Sequence, residues 1–415
     1  MGRNRCAGQL LGSDEIWGKV FASFFEKKSL SFFEKKNQKT FIHFCPAFAV
    51  KVLEVTNVDF SLRQFLLPLM RAMRERGHEV VGVCAEGAHL DAVRGEGFRV
   101  EALPFSRSLS PRAHWRAFWA MVALIRRERP DVVHAHMPIS GFLARVAARV
   151  AGVPKVAYTC HGYLFNQEGS WVRRAGGLVM EWIGGWLTDV YMNVSREEAG
   201  DARRLRIHRN PVAIGNGRDP ALFRPNPEAR ARLRTAMGVS AATVAVVIVS
   251  RVVVYKGYIE LLEAMRDVPA ELWVVGDRLP SDRGEDLGPH FARFAATGRL
   301  RNLGYRTDVA DILAAADIFV LPSHFEGLPM SVIEAMLTAL PVVATDIHGP
   351  REQVVAEQTG LLVPVRRVPA LAAALRRLAE DPGLRARMGS AGRARARDLY
   401  DETQIVTRTL GLMGL

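Results

Sequence analysis

The sequence predicts an α/β protein: two Rossmann-like, doubly wound parallel-sheet domains facing a central cleft. Three observations predict this. A chain of 415 residues with 49% hydrophobic content is long enough for two cores of ordinary size. Short runs rich in Val, Ile and Leu recur without polar alternation, as in strands buried on both faces. Amphipathic helical stretches separate those runs, and strand–helix–strand alternation implies parallel pairing through right-handed crossovers. In such sheets ligands bind where strand ends deliver loops into the crevice.

Residues 1–49 stand outside this rhythm. Ser23-Phe24-Phe25-Glu26-Lys27-Lys28 recurs as Ser31-Phe32-Phe33-Glu34-Lys35-Lys36 with no helical or strand logic. Residues 41–50 mimic a secretory signal, but His43, Cys45 and Pro46 interrupt it, so export is not expected. The segment reads as a misassigned extension, with the protein proper starting near Val50. The other reading is a basic, aromatic tail that touches a membrane.

The N-terminal domain is expected over residues 50–210. Strand 51–56 leads to helix 61–76, which Gly77 ends in C′ fashion. Strands 80–83, 98–103, 132–135, 155–159 and 190–194 then alternate with helices 112–129, 139–150 and 171–187. Three strand-end loops carry polar residues. The first holds Asn57 and Asp59, the second His136, and the third His161-Gly162. Histidines at the ends of two successive strands are candidates for the cleft wall, whereas His134 reads as a strand residue facing helices or solvent. Trp115, Trp119, Trp171, Trp182 and Trp186 lie at helical spacing beside arginines. Most of these tryptophans are expected in the core, and some of the arginines on anionic lipid.

The C-terminal domain is expected over residues 211–390. Helix 226–237 stops at Gly238, and strand 245–250 follows. Arg251 ends that strand and Lys256 opens the next helix, so both cations point toward the cleft. A strand closes on Gly276-Asp277, and another on Gly304-Tyr305. Strand 316–322 runs into Ser323-His324-Phe325-Glu326-Gly327-Leu328-Pro329, and Pro329 suits the start of a helix. Free N–H groups at that helix start, with its dipole, favour an anion at Gly327 and Leu328. Glu326 at the mouth and Glu334 on the second turn then flank a diphosphate, each able to grip a pair of sugar hydroxyls. Strand 341–345 closes the edge, and Arg- and Ala-rich helices follow Asp381.

The spacing Glu326 to Glu334 resembles the E-x7-E pattern of retaining glycosyltransferases of family 4, which have the GT-B fold. Arg251 and Lys256-Gly257 match that family's R-x4-K-G. The likeness extends over roughly residues 51–400. It implies that Arg251 and Lys256 hold a donor diphosphate, that Glu326 holds sugar hydroxyls, and that Glu334 holds the ribose. It implies that His136 contacts the donor sugar and that His161 lines the cleft. Gly304 and Tyr305 match a loop beside the nucleobase, and Asn216 lies in a stretch resembling the family's hinge. A Gly-Gly pair common after the first strand is replaced here by Asn57-Val58. Residues 391–415 are expected to form helices crossing back to the first domain.

Charge and cysteine usage bound the partners. The net charge of +13 comes from 56 basic and 43 acidic residues, which favours nucleic acid, anionic membrane or acidic substrates. No nucleic-acid module is recognisable, so nucleic acid is not an expected partner. Cys6, Cys45, Cys84 and Cys160 show neither metal spacing nor a disulfide framework, and read as free thiols in a reducing compartment. No apolar stretch reaches the roughly 20 residues of a membrane span. No Asp-x-Asp occurs, which disfavours the metal-chelating type of glycosyltransferase.

Together these readings imply a cytoplasmic enzyme, peripheral on the inner face of the cell membrane. It would move a hexose or N-acetylhexosamine, with retention, from a nucleotide-sugar donor to a lipid-linked saccharide acceptor, and need neither metal nor cofactor. A sugar-nucleotide epimerase or a non-catalytic binding protein of the same fold remain the alternatives.

Overall fold

Residues 49–415 are described in a computed structural model, except 106–109, 279–281 and 283. The expectations for residues 1–48 lie outside the described residues. The first sheet has seven strands: β1 (Lys51–Val55), β2 (Glu79–Cys84), β3 (Arg99–Ala102), β4 (Val132–His136), β5 (Lys155–Cys160), β6 (Val190–Asn193) and β7 (Val212–Ala213). The second has six: β8 (Ala245–Val249), β9 (Glu271–Val275), β10 (Leu300–Gly304), β11 (Ile318–Leu321), β12 (Val342–Thr345) and β13 (Gly360–Val363). Their spatial orders are β3-β2-β1-β4-β5-β6-β7 and β10-β9-β8-β11-β12-β13, and every pairing within them is parallel. Both sheets run outward from their first strand and then reverse, so switch points fall between β1 and β4 and between β8 and β11.

The unbroken apolar runs have a simple cause. Along β8 and β9, Val246, Ile248, Leu272 and Val274 enter one buried cluster, while Ala245, Val247, Trp273 and Val275 enter the cluster on the opposite face. Successive side chains alternate, and helices cover both faces. Side-chain caps start several helices. Ser110, Ser170, Ser195, Asn226 and Asp381 each accept an N–H from the first turn that follows.

Helix 61–76 forms without a gap, but its winding changes along its length. A short turn Asp59–Ser61 gives way to a π-turn Leu62–Leu66 and then helix Leu67–Glu75. Pro68 has no N–H for the Gln64 carbonyl four residues back. Arg218 Nη1 fills that place instead, 2.8 Å away.

The tryptophans also depart from expectation. Trp115, Trp119, Trp171 and Trp186 are 63, 44, 70 and 61% exposed rather than packed in the core. Ala117, Met121, Val122, Leu124 and Ile125 already fill the inward face of helix Pro111–Glu128. Helix Trp171–Trp186 buries Gly177, Glu181, Gly184 and Gly185. A Cβ at Gly184 would stand 2.5 Å from the Arg145 guanidinium, and one at Gly185 would stand 2.0 Å from the Ile207 carbonyl. Apart from Glu181, the close-packed face of this helix is glycine, and Trp171, Val172, Val179, Ile183 and Trp186 turn outward.

At the C-terminus, helix Pro382–Leu399 packs on helix Met330–Leu337 of the second domain. Helix Glu402–Met413 packs on helix Leu67–Glu75 of the first. Lys155 Nζ donates to the Met413 carbonyl at 2.6 Å, and Arg408 donates to the Ile214 carbonyl at 3.0 Å.

Candidate functional site

Loops after β8 and β11 build the C-terminal half of the site. Gly257 has φ +77°, and a Cβ there would lie 2.0 Å from the Pro322 carbonyl oxygen. Glycine thus lets the loop after β8 lie against the end of β11. That approach sets Lys256 Nζ 2.6 Å from Glu326 Oε1, and Ser323 Oγ donates to the same oxygen at 2.6 Å. The Tyr255 ring stacks on Phe325, centroids 4.8 Å apart. Arg251 reaches the Asp282 carboxylate at 2.5 Å and also donates to the Tyr255 hydroxyl. Each cation of the expected diphosphate pair therefore rests on a carboxylate, which an anionic ligand would displace or share.

Glu334 sits deeper, 7% exposed, on helix Met330–Leu337. Its Oε1 accepts from Arg218 Nε at 2.6 Å. The stretch after β7 touches the same helix start through Asn216, whose Nδ2 donates to the Leu328 carbonyl at 2.7 Å. Asp277 Oδ2 accepts the Tyr305 N–H at 2.8 Å, just after Gly276, where a Cβ would meet the Ser250 carbonyl at 2.1 Å. Tyr305 is 47% exposed, and its ring lies 6.2 Å from that of His89 across the cleft. Gly304 allows the left-handed turn before it, with φ +62°.

The N-terminal half supplies three histidines and a buried carboxylate. His136 and His161 come together, Nδ1 to Nε2 at 3.1 Å. His136 is itself 2% exposed, so it meets the cleft through His161, which is half-buried. His134 narrows the sequence reading, since of its two expected surroundings only burial is found. It is a strand residue turned away from solvent, on the helix-covered face where Leu62 and Met70 pack at Gly82, and it binds Glu54 Oε1 at 2.8 Å through Nδ1. Glu54 Oε2 binds His136 Nε2 at 2.9 Å. The parallel register places Glu54 beside His134 and His136 beside Thr159. Burial opposes a charge on Glu54, but His134 and His136 outweigh it and lower its carboxyl to about 2. Burial lowers His136 to about 4 and His161 to about 3, with neighbouring histidines adding to each shift. Sequence reasoning missed Glu54, although an acidic residue inside the apolar run Val52-Leu53-Glu54-Val55 was a signal.

Asp59 accepts the His89 N–H at 3.0 Å, and the Asn57 carbonyl accepts from Ala85, so this loop braces the loop after β2. Glu198 lies beneath the His161-Gly162 turn, where burial, then Asp201, raises its carboxyl well above the ordinary range. The two halves meet at one seam. A Cβ on Gly327 would stand 2.8 Å from the His161 carbonyl oxygen, and a Cβ on Gly349 would stand 2.2 Å from that of Gly327. His161, Gly327, Leu328 and Asn216 thus gather at the seam, while Gly304, Tyr305 and Asp277 form a separate wall.

Two facing Rossmann-like parallel sheets, of seven and six strands, define a GT-B architecture. Two family profiles match the chain: Glycosyl transferase 4-like domain over residues 62–217 and Glycosyl transferases group 1 over residues 243–381. The chain belongs to this glycosyltransferase family, family 4, and is a glycosyltransferase.

Among its relatives is the Escherichia coli UDP-Gal:alpha-D-GlcNAc-diphosphoundecaprenol alpha-1,3-galactosyltransferase. It is 28% identical over 72% of this chain and 79% of its own. The Bacillus subtilis putative teichuronic acid biosynthesis glycosyltransferase TuaC is 30% identical over 66% of this chain and 69% of its own. Campylobacter jejuni N,N'-diacetylbacillosaminyl-diphospho-undecaprenol alpha-1,3-N-acetylgalactosaminyltransferase is 25% identical over 86% and 96%. Among solved structures, Anabaena HepE in complex with UDP and glucose superposes with a TM-score of 0.76 at 21% identity, covering 88% of this chain and 99% of that one. The shared fold is the content of that last likeness.

Proposed function

We propose that this glycosyltransferase moves a hexose or N-acetylhexosamine from a UDP-sugar to a polyprenyl-diphosphate-linked saccharide during surface polysaccharide synthesis. Transfer proceeds with retention and without a metal. The observation that carries this reading is the Lys256–Glu326 pair, 2.6 Å apart at the C-terminal ends of β8 and β11. A cation beside a carboxylate suits a sugar diphosphate, with phosphate oxygens on Lys256 and Arg251 and sugar hydroxyls on Glu326. These fixed charges stabilise the leaving diphosphate as the glycosidic bond breaks, and a phosphate oxygen takes the acceptor's proton on the same face.

Relatives with diphosphoundecaprenol-linked acceptors in their names support the acceptor class. No described helix is long and apolar enough to cross a membrane. The exposed tryptophans of helices Pro111–Glu128 and Trp171–Trp186 support docking on the inner leaflet instead, with Arg112, Arg116 and Arg173 beside them.

Incubation with radiolabelled UDP-sugars, with and without polyprenyl-diphosphate saccharide, tests the proposal. The expected result is label in lipid, with an α-linkage by NMR. An epimerised sugar nucleotide without lipid, or binding without turnover, would replace this reading with an epimerase or a binding protein.

A further inference from the structure

Five side chains form one hydrogen-bonded chain that runs from β5 through β4 to β1 and back to the end of β5. Thr159 Oγ1 meets His134 Nε2 at 2.8 Å, and His134 Nδ1 meets Glu54 Oε1 at 2.8 Å. Glu54 Oε2 meets His136 Nε2 at 2.9 Å, and His136 Nδ1 meets His161 Nε2 at 3.1 Å. Glu54 and His134 are fully buried.

The carboxylate at the centre decides every proton. Ionised Glu54 only accepts, so His134 Nδ1 and His136 Nε2 must both carry hydrogen. Neutral His136 then has a bare Nδ1, which accepts the N–H of His161 Nε2. Neutral His161 is left with a bare Nδ1. On the other arm, the bare Nε2 of His134 accepts the Thr159 hydroxyl. All four contacts are satisfied with three neutral imidazoles. A protonated His136 would instead donate its Nδ1–H to a bare Nε2 of His161 and so reverse the His161 tautomer. Burial that lowers His136 to about 4 and His161 to about 3 is consistent with neutral rings at pH 7. His161 is the least buried of the three rings and stands at the seam with Gly327. No described residue hydrogen-bonds to its Nδ1.

We propose that Glu54 and His136 are positioning residues that lock His161 in the Nε2–H tautomer, so that its Nδ1 accepts a hydroxyl hydrogen from the glycosyl ligand in the cleft. The choice of a glycosyl ligand rests on the function proposed above, but the tautomer does not. Each imidazole is oriented by the bond its other nitrogen makes. A carboxylate two rings away thus sets whether His161 offers the cleft an acceptor or a donor.

The test is 15N NMR of the full chain labelled at histidine, at pH 7. Wild type is expected to show protonated Nε2 and bare Nδ1 on His161. Glu54→Gln keeps the shape but brings an NH2 into the line, so one arm must reverse. The expected result is a reversed tautomer on the arm that meets the NH2: loss of the bare Nδ1 signal of His161 if the NH2 faces His136, and a reversed His134 if it faces His134. His136→Phe removes the acceptor, and both tautomers of His161 are expected. This second variant decides the matter if the first does not fold. An unchanged tautomer at both His134 and His161 in a folded Glu54→Gln protein, or an unchanged His161 tautomer in a folded His136→Phe protein, would overturn the lock, as would a wild-type His161 protonated at Nδ1.

Glu54, His134 and His136 also present atoms within 4.8 Å of one another, a spacing open to a metal. One equivalent of tightly held zinc on the purified protein would likewise overturn the relay. Titration with UDP and with UDP-glucose then reads the ligand contact. A shift of the Nδ1 resonance with UDP-glucose alone assigns a sugar hydroxyl, a shift with both assigns a nucleotide hydroxyl, and no shift overturns the contact. If no sugar nucleotide is turned over but the tautomer pattern holds, the proposed transfer fails and the lock stands.

Discussion

Arg218 takes the Gln64 carbonyl that Pro68 leaves without a donor, Nη1 to oxygen 2.8 Å, while its Nε holds Glu334 Oε1 at 2.6 Å. Arg218 thus ties the π-turn at the start of the first helix of the N-terminal domain to the second glutamate of the C-terminal site. Its side chain is 12% exposed and that of Glu334 9%. Breaking such a pair from one side leaves a nearly buried charge and costs about 3–5 kcal/mol. Arg218→Ala is expected to lower the thermal midpoint strongly, and adding Glu334→Gln should recover part of the loss. A double variant no more stable than Arg218→Ala would show that the arginine acts through Gln64 alone.

Glu334→Gln is expected to weaken UDP binding more than Glu326→Gln, because the ribose is assigned to Glu334 and the sugar to Glu326. A lost charge-assisted hydrogen bond is worth about 1.5–3 kcal/mol, or roughly 10- to 150-fold in affinity. Calorimetric titration with free UDP checks the order. The reverse order would exchange the two roles.

Lys256→Ala and Arg251→Ala should each lower turnover by roughly 30- to 1,000-fold at saturating donor, the equivalent of about 2–4 kcal/mol of leaving-group stabilisation. Both folds should survive, since Lys256 and Arg251 lie on loops outside the two cores. Near-normal rates in both variants would remove the cations from the chemistry.

The parts legible in the sequence were those written within one stretch of chain. Both sheets followed from apolar runs and their punctuation. Glu326, Gly327 and Pro329 stood between a buried strand and a helix, and Arg251 and Lys256 marked another strand end. What stayed hidden depended on long-range register. Glu54 meets His134 only because β1 and β4 pair in parallel, 80 residues apart. The π-turn before Pro68 is met by Arg218, which donates to the Gln64 carbonyl from 154 residues on. The outward tryptophans needed knowledge that Arg145 and Ile207 press against Gly184 and Gly185.

Acid should destabilise the protein through the histidine line. His161 is lowered from 6.5 to about 3 on folding, so between those values the unfolded chain binds the extra proton. Stability from this group is therefore full above about pH 6.5 and falls as pH drops, by up to about 1.4 kcal/mol per unit. His136, lowered to about 4, acts with the same sign, whereas the raised carboxyl of Glu198 opposes it. The comparison of wild type with His161→Asn isolates the effect. Urea unfolding from pH 7 to 4 should give the variant the shallower decline, and parallel declines would mean that His161 titrates normally.

The basic, aromatic face of the N-terminal domain should bind anionic vesicles and release them in salt. Helices Pro111–Glu128 and Trp171–Trp186 both pack against helix Pro138–Ala151, so their outward residues lie on the same side of the sheet. Arg112, Arg116 and Arg126 are exposed there, with no carboxylate partner among the described residues. Each basic residue near an anionic surface contributes about 1 kcal/mol, and salt at about 0.5 M screens most of it. Tryptophan adds an apolar anchor that salt does not weaken. Arg112→Ala with Arg116→Ala should therefore lower affinity for anionic vesicles and flatten its salt dependence. Trp115→Ala with Trp171→Ala should lower affinity while leaving the salt dependence unchanged. Cosedimentation of the full chain distinguishes these outcomes. Equal binding to neutral and anionic vesicles, or no release at high salt, would leave the arginines as solvated surface and require another route to the lipid-linked acceptor.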